Sequence, residues 1–439
     1  MAVSPIESRY ATGMNALFDD KAKLASWLEV EVALAKAHAK LGNMPHDAAN
    51  EIEEASKNVE LDRVLAIEAE IHHDLMAMVK ALSEKCKKYG GFVHLGSTSY
   101  DIEDTATALL LKRAICLLRK RLLIFSELLK KHAKQKKNMV CIARTHGQHA
   151  VPTTYGMKFA LWYSETERNL KRLERAEEII SFGKMSGAAG TMATFQGKGR
   201  EIQGLVMKYL GLKPAKVTNQ VIQRDRHAEV VFVLALIGAT LEKIAKEIRN
   251  LQRTEIMEVA EPFASKQVGS STMPQKRNPH KCERICSLAR VVRANVATAL
   301  ENIALEHERD LTNSANERFL LSQSFIVTDY MLKEMNKILA GLQFFPENIE
   351  KNLELTKGMV MAERIMIGLS SKGMGRQQAH ELMRSCSIEA FRKKKSLLDV
   401  LLGKKQVTNL LGKKALEKLF NPKNYIGEAP EIVERAISK

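Results

Sequence analysis

The chain is poor in proline, in aromatic residues and in cysteine. Ten prolines are spread over 439 residues, and none falls between Pro45 and Pro152, between Pro214 and Pro262, or between Pro279 and Pro346. Proline breaks helices because it lacks an N–H donor and its ring clashes with the preceding turn. Its absence from long stretches rich in Ala, Leu, Glu and Lys predicts long helices. No strand alternation of useful length and no internal repeat is present, which leaves an all-α fold. Aromatic residues make up 5% of the chain. The basic runs Arg392-Lys393-Lys394-Lys395, Lys404-Lys405 and Lys413-Lys414 therefore have no interleaved rings on which bases could stack, and they read as solvated surface. The six cysteines, Cys86, Cys116, Cys141, Cys282, Cys286 and Cys386, include no Cys-x-x-Cys pair. Cys282 and Cys286 share a helix face, and packed reduced thiols are favoured there over a metal pair. No apolar run approaches the ~20 residues that span a bilayer. Met1 to Asp20 has no apolar signal core, which argues against secretion or import and for a cytoplasmic protein. No Cys/His/Asp cluster has metal spacing and no Gly-rich nucleotide fingerprint occurs, so neither metal nor cofactor is expected.

What is present is charge and helical periodicity. The formal net charge is +17, from 68 Lys and Arg against 51 Asp and Glu. Residues 351–439 hold 18 Lys and Arg against 9 Asp and Glu, so about half of the excess sits in the last fifth of the chain. Such a balance suits a solvated surface or an anionic substrate, with nucleic acid as the less favoured partner. Val230, Leu234, Ile237, Leu241, Ile244, Ile248 and Leu251 step by alternating fours and threes, a coiled-coil-like seam. Around Val230 to Ile237 nearly every residue is apolar, which predicts burial on all sides. A helix from about Asp225 to Val259 would be roughly 50 Å long. That length suggests a central bundle shared between subunits.

Further helices are expected from Lys21 to Leu41, from Leu61 to Tyr89, and from a cap at Asp104 or Thr105 to about Lys137. Others run from Thr154 to Phe182 and from Lys281 to Leu305. Ser4 to Tyr10 reads as an extended lead-in. Four segments, His94 to Asp104, Arg144 to Thr154, Ser186 to Arg200 and Gly269 to Pro279, read as irregular. Three helical domains are expected: 1–104, a central bundle at 105–350 carrying the loop 269–279, and a small basic domain at 351–439.

That loop, Gly269-Ser270-Ser271-Thr272-Met273-Pro274-Gln275-Lys276-Arg277-Asn278-Pro279, is dense in reactive side chains. Gly269 frees the backbone, Pro274 and Pro279 prevent a helix, and successive N–H groups could face an anion. Its order resembles the signature loop of the fumarase/aspartase superfamily of lyases. His94-Leu-Gly-Ser-Thr98-Ser99-Tyr-Asp-Ile-Glu-Asp104 resembles that superfamily's first conserved region, and Arg144-Thr145-His146-Gly147-Gln148-His149 its second. Ser8-Arg9-Tyr10, His73-Asp74, Thr218-Asn-Gln220 and the stretch Glu306 to Arg318 narrow the resemblance to the adenylosuccinate lyase family, over residues 4 to 400.

The resemblance implies release of fumarate from adenylosuccinate, giving AMP, and from the succinyl-carboxamide ribotide of purine synthesis. Such a β-elimination needs a base, an acid and donors for the charge that builds on a carboxylate. By resemblance Ser270 is the base and His146 the acid; Ser271 is the alternative base. Lys276 and the loop backbone would support a serine base, and Asn278 and Met273 meet the substrate. The pair His73-Asp74 contacts substrate and orients the reaction, with His72 where relatives carry a basic residue. Val151 stands where relatives often carry an acid. Arg9, Tyr10, Arg284, Arg309, Ser314 and Arg318 grip the phosphate or the succinyl group; arginine's planar fork suits both. Thr98 and Ser99 take the succinyl side, Gln220 a polar edge, and Thr145, beside the acid, also binds substrate. His149 reads as structural.

Two other readings stay open. One is a sibling lyase acting on argininosuccinate, fumarate or aspartate. The other is the same fold kept as a nucleic-acid-binding protein. The family resemblance also implies a homotetramer with shared active sites. Geometry agrees: Thr98-Ser99 and Arg144 to Gln148 flank a helix of roughly 50 Å, and no proline lies there to fold it back.

Overall fold

The computed structural model describes residues 4–264 and 266–438; the first three residues of the amino-terminal segment and the last residue of the basic tail lie outside them. The fold is all-α, with three short strand pairings among the described residues. The chain divides into two compact units. The first comprises Met1–Leu123, Arg168–Leu241 and Ser287–Lys333, and the second Ile124–Glu167, Glu242–Cys286 and Glu334–Lys439. Among the described residues no helix is long and apolar enough to cross a membrane.

In the first unit the helix Asp20–Lys40 starts where Asp19 accepts the Ala22 N–H at 2.7 Å, and it stops before Gly42, whose φ is +73°. Its buried Ala33, Ala35, Ala37 and Ala39 let His46–Ser56 and Gly199–Leu210 approach closely. The stretch expected to be one helix from Leu61 to Tyr89 is two, Leu61–Ile71 and Asp74–Lys85. His72 ends the first in the left-handed conformation, φ +55°, and His73 caps the second. Ser4 to Tyr10 is not extended: Pro5–Glu7 is a 3-10 turn, because the ring's fixed φ suits a first helical position, and the Tyr10 N–H closes on the Pro5 carbonyl at 2.9 Å.

The next helix runs from Ser99 to Gln135 and begins five residues earlier than its expected cap. At its start the Asp101 carboxylate accepts the Thr98 N–H at 2.9 Å, one half of a capping box, while the Asp101 N–H donates to the Thr98 carbonyl. Asp101 is itself fully buried and also accepts from Lys184 Nζ and from the N–H groups of Ser186 and Gly187. One carboxylate thus fixes both the first motif and the glycine-rich segment after Lys184.

The heptad seam is buried throughout, from Val230 at 1% exposure to Leu251 at 4%. Burial is not all-round, since Phe232 is 51% exposed. The helix ends at Leu251, about two turns short of Val259. There the chain turns back through Met257, whose φ is +42°, and Val259–Ala260 pairs with Gln343–Phe344.

In the second unit, Arg144 to Thr154 is not irregular but part of an antiparallel hairpin, Val140–Thr145 with Gln148–Thr154. Thr145 pairs with Gln148, so His146 and Gly147 alone make the turn, at φ +53° and +76°. Positive φ at both central positions is what a two-residue hairpin turn demands. The β-branched Val140, Ile142, Val151, Thr153 and Thr154 favour the strands. The carboxy-terminal helices Ala362–Ser371, Arg376–Lys393 and Leu397–Leu402 enclose their own core of Ile365, Leu369, Met383, Leu397 and Leu401. All six cysteines are free thiols; Cys141, Cys282, Cys286 and Cys386 are buried. Burial pushes Cys141 up to about 12.

Candidate active site

The residues singled out in the sequence fall into two groups, one in each unit. In the first unit His72, His73, Asp74, Ser99, Gln220, Arg309, Ser314 and Arg318 line one cavity of about 500 Å³. Thr98 is the residue before Ser99, at the helix cap. Arg9 and Tyr10 are not among the lining residues: Arg9 is exposed, and Tyr10 packs edge-on against Tyr330, ring centres 5.1 Å apart.

The break between the two helices sets His72, His73 and Asp74 at the cavity rim. His73 Nδ1 accepts the Met76 N–H at 3.4 Å, which leaves Nε2 to carry the proton of the neutral ring. Asp74 accepts from Arg318 Nη2 at 2.8 Å and from Lys23 Nζ at 3.3 Å. Burial pushes its pKa up, but Lys23 and Arg318 outweigh that and hold the carboxylate below its usual range.

Also lining the cavity, Arg309 donates to Gln220 Oε1 at 2.9 Å and sits over the Tyr100 ring, while Gln220 Nε2 donates to the Ala188 carbonyl. Arg309 Nε is buried and has no hydrogen-bond partner among the described residues. Ser314 opens the helix Ser314–Ala340, and Arg318 lies one turn on, so both side chains face the same way. Beneath them Arg224 grips Asp104 bidentately, both contacts at 2.9 Å, and reaches Glu317 at 2.9 Å. Burial works against the charges of Arg224 and Asp104, but their mutual attraction keeps both ionised. This buried triad ties the Ser99 helix to the Ser314 helix and so fixes the spacing of the wall residues.

In the second unit the hairpin presents Thr145 and His146 at an exposed tip. Its base is fastened by Glu258, which is fully buried and accepts from Arg144, Tyr155 and Asn352. Burial and the neighbouring Glu258 carboxylate push the Tyr155 phenol far up. The other hairpin histidine, His149, is held below its ordinary value, by burial first and by Arg144 second.

The loop Gly269 to Pro279 closes on itself. A Cβ on Gly269 would lie 1.9 Å from the Lys276 carbonyl oxygen, so only glycine fits. Asn278 Nδ2 donates to the Gly269 carbonyl at 2.9 Å. Inside this ring Ser270 Oγ accepts two backbone N–H bonds, from Met273 at 3.1 Å and Thr272 at 3.3 Å. Ser271 is exposed. Met273, Lys276 and Asn278 line a cavity of about 950 Å³ together with Lys246, Arg249 and Arg253. Arg284 sits half-buried in the first turns of His280–Glu301.

Tyr100, Glu103, Lys23, Glu258 and Lys184 were not singled out in the sequence. Tyr100 and Glu103 lie within the first motif, and the four-residue step from Ser99 to Glu103 was the available signal. Lys23, Lys184 and Glu258 reach their partners across 51, 83 and 114 residues, and no local pattern marks them.

A helical fold with this loop belongs to a lyase: residues 8–294 match the family model described as Lyase. Two solved structures agree in fold. The 3-carboxy-cis,cis-muconate lactonizing enzyme from Pseudomonas putida has a TM-score of 0.92 and 31% identity, covering 99% of this chain and 98% of that one. Fumarate lyase from Mesorhizobium sp. has a TM-score of 0.90 and 31% identity, with 97% of each chain covered. Residues 358–436 match the model described as Adenylosuccinate lyase C-terminus. Adenylosuccinate lyase of Pyrococcus horikoshii is 55% identical over 440 residues, spanning 100% of this chain and 98% of that protein. That of Methanothermobacter thermautotrophicus is 50% identical over 444 residues, spanning 100% and 99%. The chain belongs to the adenylosuccinate lyase family.

Proposed function

We propose that the protein splits adenylosuccinate into AMP and fumarate, and likewise releases fumarate from the succinyl-carboxamide ribotide of purine synthesis. The observation that carries the chemical reading is the seating of Ser270 Oγ against the N–H groups of Thr272 and Met273. A hydroxyl is a poor base because its alkoxide is unstable. Two fixed N–H donors stabilise that alkoxide and aim it, and the Lys276 ammonium on the same loop adds charge of the right sign. Ser270 then removes the proton beside a succinyl carboxylate. Lys276 and Asn278 hold the charge that builds there, His146 protonates the departing nitrogen, and the C–N bond breaks to give fumarate. Arg309, Ser314 and Arg318 read the phosphate or carboxylates, with Ser99 and Gln220 beside them and His73 orienting the substrate. No cofactor takes part. The test is direct: purified protein with adenylosuccinate, following the absorbance change and fumarate. No fumarate at any substrate concentration would overturn the reading and favour a sibling substrate.

Each site is assembled from several copies, in a homotetramer. The helix Ser99–Gln135 has 37 residues, roughly 55 Å at 1.5 Å each. Ser99 begins it and the His146 hairpin follows its end, while both are assigned to one small substrate. A neighbouring copy in antiparallel orientation brings such groups together. Mixing inactive Ser270→Ala and His146→Ala proteins under subunit exchange should restore activity. Hybrids that form and stay inactive would count against shared sites.

A further inference from the structure

Glu103 lies one turn beyond Ser99, so the two side chains share the helix face turned to the anion-reading cavity. It lines that cavity and also an adjoining space of about 240 Å³. Tyr100, Ser314 and Arg318 are the other residues common to both. Glu103 therefore stands in the wall where Arg309, Ser314 and Arg318 converge.

The charges around it are mostly committed elsewhere. From the Asp20–Lys40 helix, Lys23 points to Asp74. From the helix junction, Asp74 takes Lys23 and Arg318, with His72, His73 and Glu68 further along the same rim. On its own helix Asp104 holds Arg224, which also holds Glu317 of the Ser314 helix. From the preceding loop, Arg309 is engaged by Gln220 and by the Tyr100 ring, and Asp310 by Thr312 and the Glu306 N–H. Asp20 lines the smaller space. Asp74, Asp104 and Glu317 each hold a cation; Glu103 has no ion pair or hydrogen bond among the described residues. Burial first, then Asp74 and Asp104, push its pKa up to about 8, against the weaker pull of Lys23 and Arg309.

We propose that Glu103 is a further substrate-contacting residue of the reaction set out above: as a neutral carboxylic acid it donates its O–H to an anionic oxygen of the substrate held by Arg309, Ser314 and Arg318. The inference rests on the lyase reading of this cavity. A neutral acid here supplies a donor without adding negative charge beside a phosphate or carboxylate. Once ionised, the same group offers only acceptors and repels the ligand. Glu103 thus sets an alkaline limit to binding, separate from the base and acid that perform the elimination.

The decisive comparison is wild type against Glu103→Gln, which keeps shape and an N–H donor but cannot ionise. In wild type the KM for adenylosuccinate should stay level to about pH 8 and then rise, by up to about tenfold per pH unit, with kcat changing less. In Glu103→Gln that rise should vanish. An unchanged rise in the variant, or none in wild type, overturns the proposal. Two readouts do not need turnover. Calorimetric binding of AMP and of fumarate across the same pH range separates the two sources of anionic oxygen. A weakening above pH 8 that Glu103→Gln removes should appear for AMP if the contact is to phosphate, and for fumarate if it is to a carboxylate. Infrared spectra at pH 7 should show a neutral-carboxyl carbonyl band in wild type that Glu103→Gln loses. If wild type fails to cleave adenylosuccinate, the reaction is misassigned, yet binding and the carbonyl band still judge Glu103. Absence of the band, or pH-independent binding of both ligands, overturns the proposal by itself.

Discussion

The guanidinium of Arg309 sits 3.6 Å from the centre of the Tyr100 ring. The ring lies over the cation, whose Nε–H has no hydrogen-bond partner among the described residues. A buried donor without a partner costs free energy until a ligand satisfies it. On the proposed reading Arg309 is preset for an anion, and the aromatic face carries part of that cost. Tyr100→Leu removes a cation–π contact of about 1 kcal/mol. KM for adenylosuccinate should rise roughly fivefold with kcat little changed. Equal loss in kcat would place Tyr100 in the chemistry instead.

Ser270 and Ser271 differ in setting although they are adjacent. Ser270 Oγ receives two backbone N–H bonds inside the closed loop, while Ser271 is exposed. Ser270→Ala should fold, bind substrate and lose turnover by about 10²–10⁴-fold. Ser271→Ala should retain most activity. The reverse pattern would transfer the base to Ser271.

Much of this was legible in the residues themselves. Proline-free stretches gave the long helices, and the heptad from Val230 to Leu251 is buried as its spacing requires. The signature loop stands apart in its composition. What failed had short-range causes. The His146-Gly147 turn went unread because histidine is an unusual residue at positive φ, where Asn or Asp is the customary signal. The helix start at Ser99 has no plain local signal, because the residue that accepts the Thr98 N–H is an aspartate, Asp101, where the usual signature has Glu or Gln. Asp101–Lys184 and Arg144–Glu258 were out of reach, since each joins segments 80 or more residues apart and leaves no periodic trace.

Glu258 accepts from three side chains while fully buried. Removing one member of a buried charged set leaves the others uncompensated, at a cost of about 3–5 kcal/mol. Glu258→Ala should lower unfolding free energy by about that amount in urea, and Glu258→Gln by less. A loss under about 1 kcal/mol would mean that the hairpin is anchored by other contacts.

The raised carboxyl of Glu103 has a signature in stability as well as in binding. Its folded pKa of about 8 lies above the ordinary 4.5. The folded state thus binds this proton more tightly than the unfolded chain does. Its contribution is fully present below pH 4.5 and is lost as pH rises to about 8. Relative to Glu103→Gln, the melting temperature of wild type should fall across that window and level off above it. A constant difference between the two proteins would remove the raised carboxyl.

The contact of Gly269 with the Lys276 carbonyl makes the signature loop a ring whose circumference is set by main chain. Apart from Gly269, and from Ser270 whose Oγ holds two loop N–H groups, side chains on such a ring can be exchanged with little effect on its outline, whereas inserting or deleting a residue between the two contact points changes it directly. Substitution and insertion should therefore have opposite fates in a library built on this loop. Gln275 is exposed and lines the cavity of about 950 Å³, so it offers a site for variety, whereas Arg277 is stacked on the Phe263 ring. The number of residues from 269 to 276 offers none. For an engineer seeking a new substrate, this loop is a fixed-length frame to be redecorated, and changes of size belong elsewhere in the chain.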